Sequence, residues 1–331
     1  MPKEFTDDDL RVHVQWQEHW DQEFVDEHGK EKHHPGQAKL LFSNLLGLVL
    51  VEEDMKTKEA GRSIRLVVAG ASPGTHMLVL LRHLRHWRVV RGLQIHLFDP
   101  KPLDKKLQSI VDKRVNNIFF YPRKFTDQDA KDWSNNTDCV VFFSDIRGQI
   151  HADKRLHTHK DEVQIEGDMQ RQEQWVKTMQ PDYCMLKFHA PHATGDGQHK
   201  SSVPASISYL HGDVYEQGYA GLFSAEYRLF CTQANIRQTK QYDTKQIERH
   251  AFYHTLHTRP STFSVGGTHK AYDDAFAAHV AHKAAQWLLI DAQQLLHDAH
   301  TELHASPLHF SWPAQETSHM QSLHRRVRQI L

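Results

Sequence analysis

Residues 64–76 read Ile-Arg-Leu-Val-Val-Ala-Gly-Ala-Ser-Pro-Gly-Thr-His, and Met77, Leu78, Leu80, Leu81 and Leu84 follow at helical spacing. A short apolar run rich in β-branched residues, a turn marked by Gly70 and Gly74, and an apolar-faced helix form the opening of a βαβ unit. The chain downstream repeats that pattern. Apolar runs at 93–98, 117–121, 138–144, 183–188, 206–211 and 227–232 predict strands, and the periodicities around 126–133 and 166–179 predict helices between them. Strands alternating with helices predict an α/β fold with a mostly parallel sheet and helices on both faces. The last two strand candidates are joined by a Gly-containing loop without a helix, so an antiparallel edge is expected there.

Upstream, residues 1–34 are polar and charged, with Trp16, Trp20 and Phe24 spaced by four as a single apolar stripe. They read as an N-terminal arm that ends at Pro35-Gly36. From Gln37 the character changes: Ala38, Leu40, Leu41, Phe42, Leu45, Leu46 and Val49 recur at helical spacing, with Lys39 near the start of the helix. Residues 35–258 are assigned to the α/β domain and 259–331 to a C-terminal helical extension packed on it. Within 273–305, Phe276, Val280, Ala284, Trp287 and Leu288 lie on one face of a predicted helix. His279 and His282, and His297, His300 and His304, have spacings that suit a metal. Without an acidic or cysteine partner set they read as solvated helix surface, and no metal is assigned.

Lys+Arg total 40 against 41 Asp+Glu among 331 residues, a formal charge of −1. That balance removes the usual electrostatic argument for a long nucleic-acid footprint and leaves only local patches. The 28 histidines make the surface more cationic in mildly acidic solution. Cys139, Cys184 and Cys231 are far apart, each in an apolar run, which excludes a disulfide scaffold and predicts reduced core thiols. No apolar stretch approaches the roughly 18–20 residues that cross a bilayer. The acidic start, Met1 to Leu10, lacks the apolar core of a secretory signal, so neither membrane nor export is expected.

In an open α/β sheet a ligand sits beyond the carboxyl ends of the strands, where a glycine turn lets backbone N–H groups come close. Gly70 and Gly74 supply the turn, and Asp99, at the end of the second strand, is placed to accept ribose hydroxyls. Pro73 interrupts the flexible entry that a pyrophosphate needs. A cofactor with one ribose, one base and no phosphate suits this stiffer turn, and S-adenosylmethionine has that description. A tight structural turn is the plain alternative. Four further segments each bring a charge to a strand end or helix start: Lys39 in GQAKLL, Asp145 in FFSDIRG, Lys187 in CMLKFHAP and Glu226 in FSAEYRL. Charges adjoining apolar strands are costly to bury unless paired, and two cations and two anions can pair.

GQ-K-LL, the PGTH turn, SD-x-R, LK and SAE-x-RL, in this order, resemble the poxvirus-type cap-specific mRNA (nucleoside-2′-O-)methyltransferase family, whose members also serve as stimulatory subunits of a viral poly(A) polymerase. The resemblance runs from about Gln37 to Tyr253. It implies the Rossmann-like S-adenosylmethionine methyltransferase fold of seven strands. It also implies methyl transfer to the ribose 2′-hydroxyl of the first transcribed nucleotide of capped mRNA, with Lys39, Asp145, Lys187 and Glu226 as catalytic tetrad and Lys187 as general base. Gln37, Gly70, Gly74, Asp99, Asp145 and Arg147 are the implied cofactor contacts. For RNA and cap, Arg228, Glu248, His192, Trp16 and Trp20 are the candidates, with His192 standing where the family has an aromatic residue. The family further implies capped mRNA and a poly(A) polymerase catalytic subunit as partners, and a cytoplasmic viral factory or virion as location. Two other readings stand beside this one: a non-catalytic RNA-binding stimulatory subunit on the same scaffold, and a nicotinamide-dependent oxidoreductase, whose pyrophosphate fingerprint is missing.

Overall fold

The computed structural model describes residues 6–10, 36–58, 62–113, 117–146, 159–191, 204–220, 226–254 and 269–303. Its strands are β1 (Ile64–Ala69), β2 (Gln94–Phe98), β3 (Ile118–Tyr121), β4 (Cys139–Ser144), β5 (Tyr183–His189), β6 (Ser206–Leu210), β7 (Asp213–Tyr215), β8 (Glu226–Thr232) and β9 (Thr239–Asp243). Seven of them form one sheet in the order β3-β2-β1-β4-β5-β8-β7. The first five in that order run parallel, whereas β8 is antiparallel to β5 and β7 to β8. Strands β4 and β5 are buried along their whole length. Such strands read as continuous apolar runs without alternation because both faces are covered.

One face is covered by α1 (Gly36–Lys58), α2 (Thr75–His83), α8 (His269–Leu288) and α9 (Ala292–Leu303). Leu41, Leu45, Leu48, Met77, Leu80, Phe276, Val280 and Leu295 share its core with Leu66, Val68 and Phe143 of the sheet. Helix α1 comes unusually close to β4: a Cβ on Gly47 would sit 2.7 Å from the Phe143 ring. The other face is covered by α5 (Asp127–Trp133) and α6 (His159–Met179), where Phe125, Phe142, Trp175, Val176 and Phe188 pack together. The linking helices α3 (Arg85–Val90) and α4 (Lys105–Asp112) flank β2, and α7 (Thr244–Tyr253) follows β9. No helix among the described residues is long and apolar enough to cross a membrane.

Two expectations need correction. The antiparallel edge was assigned to the pair 206–211 and 227–232, but β6 leaves the main sheet and pairs with β9 in a separate two-stranded sheet. The reversed strand β8 lies inside the sheet, and the short β7 forms the edge beside it. Strand β6 is largely exposed at its start, so its side chains do not supply the second apolar face that a place inside the sheet demands. The C-terminal helix is also two helices. Leu289 has φ 56°, which no helix accommodates, and Asp291 then accepts the backbone N–H of Gln294 at 3.0 Å as the cap of α9. All three cysteines are buried and free, as expected, with Cys184 and Cys231 opposite each other on β5 and β8.

Candidate active site

The carboxyl ends of β1, β4 and β5 converge on one place. Lys187 on β5 lies directly opposite Arg228 on β8, and Glu226, two residues before Arg228, points to the same face of that strand. Like charges opposite one another in an antiparallel pair repel. Here anions separate them. Asp145, immediately beyond β4, places Oδ1 3.2 Å from Lys187 Nζ and 2.7 Å from Arg228 Nη2. Glu226 Oε2 lies 3.1 Å from Lys187 Nζ, and its Oε1 accepts from Lys39 Nζ at 2.6 Å. Lys39 reaches the cluster from the first turn of α1. Lys39, Asp145, Lys187 and Glu226, separated by up to 187 positions in sequence, therefore form one continuous network.

Burial sharpens the electrostatics. Lys187 is 8% exposed and Arg228 3%. Burial pushes the Asp145 carboxyl up, yet Lys187, Arg228 and Lys39 together outweigh it and hold the group down at about 2. Asp145 is thus an anion throughout the neutral range. The cluster carries three cations and two carboxylates, so loss of one ammonium proton brings it to neutrality. Only the lysines can release it, since a guanidinium stays charged.

Residues that the sequence did not single out hold this arrangement. Gln217, 2% exposed, donates from Nε2 to the Glu226 carbonyl at 2.7 Å and accepts from Arg228 Nε at 2.8 Å. Gln172 of α6 donates to the Lys187 carbonyl at 3.0 Å and so pins β5 at that residue. Nothing in the periodicity around Gln217 or Gln172 marks them, because each is a neutral amide whose role exists only after the chain has closed. Arg228 itself needs correction. Proposed from sequence as an RNA contact, it is buried with its guanidinium committed to Asp145, Gln217 and the Ser144 carbonyl, so it positions the cluster.

The glycine turn adjoins the same cluster. Gly70 has φ 87°, and a Cβ there would approach the Asp145 backbone to 2.9 Å, so only glycine lets β1 and β4 end so close together. Asp99, 9% exposed, accepts Ser72 N at 3.0 Å on one oxygen and Lys101 N at 2.8 Å on the other. Each carboxylate oxygen can accept a second bond, so Asp99 braces the turn and retains capacity for a diol. Gln37 takes a bracing role of its own: its Oε1 accepts from Thr75 Oγ1 at 2.7 Å and from His76 N at 3.2 Å, tying the start of α1 to the start of α2. Gly74 is the N-cap of α2. His76 is buried between Gln37 and Asn44, and burial pushes its imidazole down to about 4, so it is neutral. Arg147, His192, Trp16 and Trp20 lie outside the described residues. Glu248 is on α7, with its side chain outside them.

The histidines with metal-like spacing are not gathered among the described residues. His279 contacts Asp7 at 2.7 Å and His282 contacts Gln286 at 2.8 Å, and His304 is not described. A sequence model for the poly(A) polymerase regulatory subunit matches residues 8–295, most of the chain. The chain belongs to that family. Comparison of the poly(A) polymerase regulatory subunit homologue with the curated proteins gives no match. Among solved structures it is similar to bluetongue virus VP4, described as a multifunctional RNA-capping production-line, at 10% identity and a TM-score of 0.46. That likeness covers 83% of this chain, which spans 37% of the VP4 chain.

Proposed function

We propose that this member of the regulatory-subunit family partners a poly(A) polymerase catalytic subunit and also methylates the ribose 2′-hydroxyl of the first transcribed nucleotide of capped mRNA. The family match supports the first part. The second rests on one observation, the Lys187 ammonium held within 3.2 Å of two carboxylates beside the glycine turn, with a second lysine on the same Glu226.

A ribose hydroxyl is a weak nucleophile, so its proton must be taken as the oxygen attacks. Lys187, in its neutral form, takes that proton. Asp145 and Glu226 fix the direction of its lone pair, and Lys39 orients Glu226 by sharing its carboxylate. Effective catalysis then depends on orientation as much as on basicity, because a reacting group held in near-attack geometry lowers the barrier by itself. S-adenosylmethionine, when bound, supplies an electrophilic methyl group. Asp99 has the acceptor capacity for its ribose, and the Gly70–Gly74 turn offers close backbone approach, so the residues present fit that cofactor.

The family match also favours a reading without catalysis, in which the chain only stimulates tail elongation. One comparison separates the two: wild type and Lys187→Ala assayed for tail extension by the polymerase and for methyl transfer. The proposal expects extension to be the same for both and methylation to be lost in the variant. Wild-type protein that stimulates extension and transfers no methyl group supports the reading without catalysis.

A further inference from the structure

Immediately before Gln217, a second cluster uses residue types that the tetrad does not. Glu216 follows the last residue of β7, and His250 and His254 lie four apart at the end of α7, so both imidazoles project from one helical face. Glu216 Oε1 is hydrogen-bonded to His250 Nε2, and its Oε2 lies 3.8 Å from His254 Nε2. One ligand atom from each of the three falls within 4.8 Å of the others. The two imidazoles are stacked at 5.8 Å with planes 20° apart. All three residues are buried, between 6% and 9% exposed.

We propose that Glu216, His250 and His254 bind a divalent transition-metal ion of the zinc class. The donor set is two imidazole nitrogens and one carboxylate oxygen, which zinc accepts in tetrahedral geometry with bonds of about 2.0–2.2 Å. Tetrahedral ligands at that radius stand about 3.4 Å apart. The Glu216–His250 contact is shorter than this and the Glu216–His254 contact longer, so small side-chain rotations suffice. A buried carboxylate needs a compensating cation, and a metal ion held by the same side chains supplies one.

A second observation concerns a buried hydroxyl beside the three ligands. Tyr227 is 1% exposed, its ring centroid is 6.1 Å from that of His250, and its hydroxyl has no hydrogen-bond partner among the described residues. A water on the metal gives the hydroxyl the partner it lacks. Buried hydroxyls in folded proteins nearly always have a hydrogen-bond partner, and a metal-bound water is one that this site can supply. Because Glu216 adjoins Gln217, which holds Glu226 and Arg228, the ion ties α7 to the loop that supports the tetrad. Its role is positional. This inference does not depend on the methyl-transfer reading.

The test uses the full, untagged chain. Metal content by plasma mass spectrometry is expected to show one zinc per chain, and zinc added to chelator-stripped protein is expected to raise Tm by roughly 5 °C at a hundredfold excess over Kd. The rise should vanish in His254→Ala and Glu216→Gln and persist in His297→Ala, which alters an exposed histidine on α9. If the site variants do not fold, cobalt bound to wild-type protein is expected to give an intense tetrahedral visible band without a thiolate charge-transfer band. Stripped protein that binds neither zinc nor cobalt stoichiometrically, or zinc binding unchanged in both site variants, overturns the proposal and leaves a hydrogen-bonded His–Glu group.

Discussion

Both ends of the central strands carry ion pairs, half-buried at the amino ends and more deeply buried around Lys187 and Arg228 at the carboxyl ends, and they are built differently. At the amino ends, Arg62 meets Asp182 at 2.8 Å and also donates to the Asp138 carbonyl, while Arg65 meets the Asp138 carboxylate at 2.5 Å. Asp182 further accepts the Val140 N–H at 2.8 Å, tying β5 to β4. Each pair there is one arginine against one aspartate, supplemented by backbone bonds, and no proton can leave. At the carboxyl ends two lysines replace arginines and one cation is in excess. Arginine is the residue for a fixed pair, and lysine for one whose proton must move. The same sheet therefore has an end of fixed arginine–aspartate pairs and an end where lysines carry the excess charge, and a cavity of about 540 Å³ opens at the first, lined by Asp54, Arg62, Asp182 and Tyr183.

The largest effect expected from this contrast is on Lys187. Lys187→Arg keeps the charge and removes the exchangeable proton, so methyl transfer should fall at least ~10²–10⁴-fold. The Tm rise given by S-adenosylhomocysteine should remain, and NAD should give none. An active Lys187→Arg enzyme would erase the distinction between the two ends. Next comes Arg228→Ala, which leaves Asp145 with one partner fewer inside the fold. Breaking a buried pair costs about 3–5 kcal/mol, readable by urea denaturation. Asp182→Ala, at the other end, should cost about 1–3 kcal/mol by orphaning the Val140 N–H and Arg62, with unchanged methyl transfer per folded molecule. Catalytic loss beyond the loss of folded protein in that variant would break the comparison.

The smallest effect is a pH dependence. His76 is neutral in the fold with its pKa pushed down to about 4, below the ordinary 6.5, so the unfolded chain binds a proton first as pH falls. Its contribution to stability is intact above pH ~6.5 and is lost progressively toward pH ~4, amounting to about 2 kcal/mol between pH 7 and pH 5. His76→Gln should flatten that slope in denaturation curves. The Asp145 carboxylate, held at about 2, acts in a lower window, stabilising above the ordinary 3.8 and fading as pH drops toward 2.

The sequence carried much of this. The buried strands β1, β4 and β5 announce themselves as apolar runs, and Gly70 and Gly74 mark the turn because positive φ demands glycine. The four charges of the tetrad were found because each interrupts an apolar context. What escaped follows from the limits of local pattern. Strand β6 has strand-like composition, but its partner β9 is decided by a long-range pairing that periodicity does not encode. Gln217 and Gln172 are ordinary amides until folding brings backbone groups to them. The division between α8 and α9 was readable, since Asp291 precedes Gln294 in capping spacing, but the continuous Ala and Leu content masked it. His250 and His254 also have ligand spacing, and their acidic partner, 34 positions before His250, is visible only in three dimensions.

Incubation of the protein with labelled S-adenosylmethionine and a short capped RNA, followed by mass analysis of the released nucleosides, tests the central claim most directly. The account expects label on the 2′-oxygen of the first transcribed nucleotide and none when Lys187 is alanine. Label on a base, or transfer that survives Lys187→Ala, would contradict it.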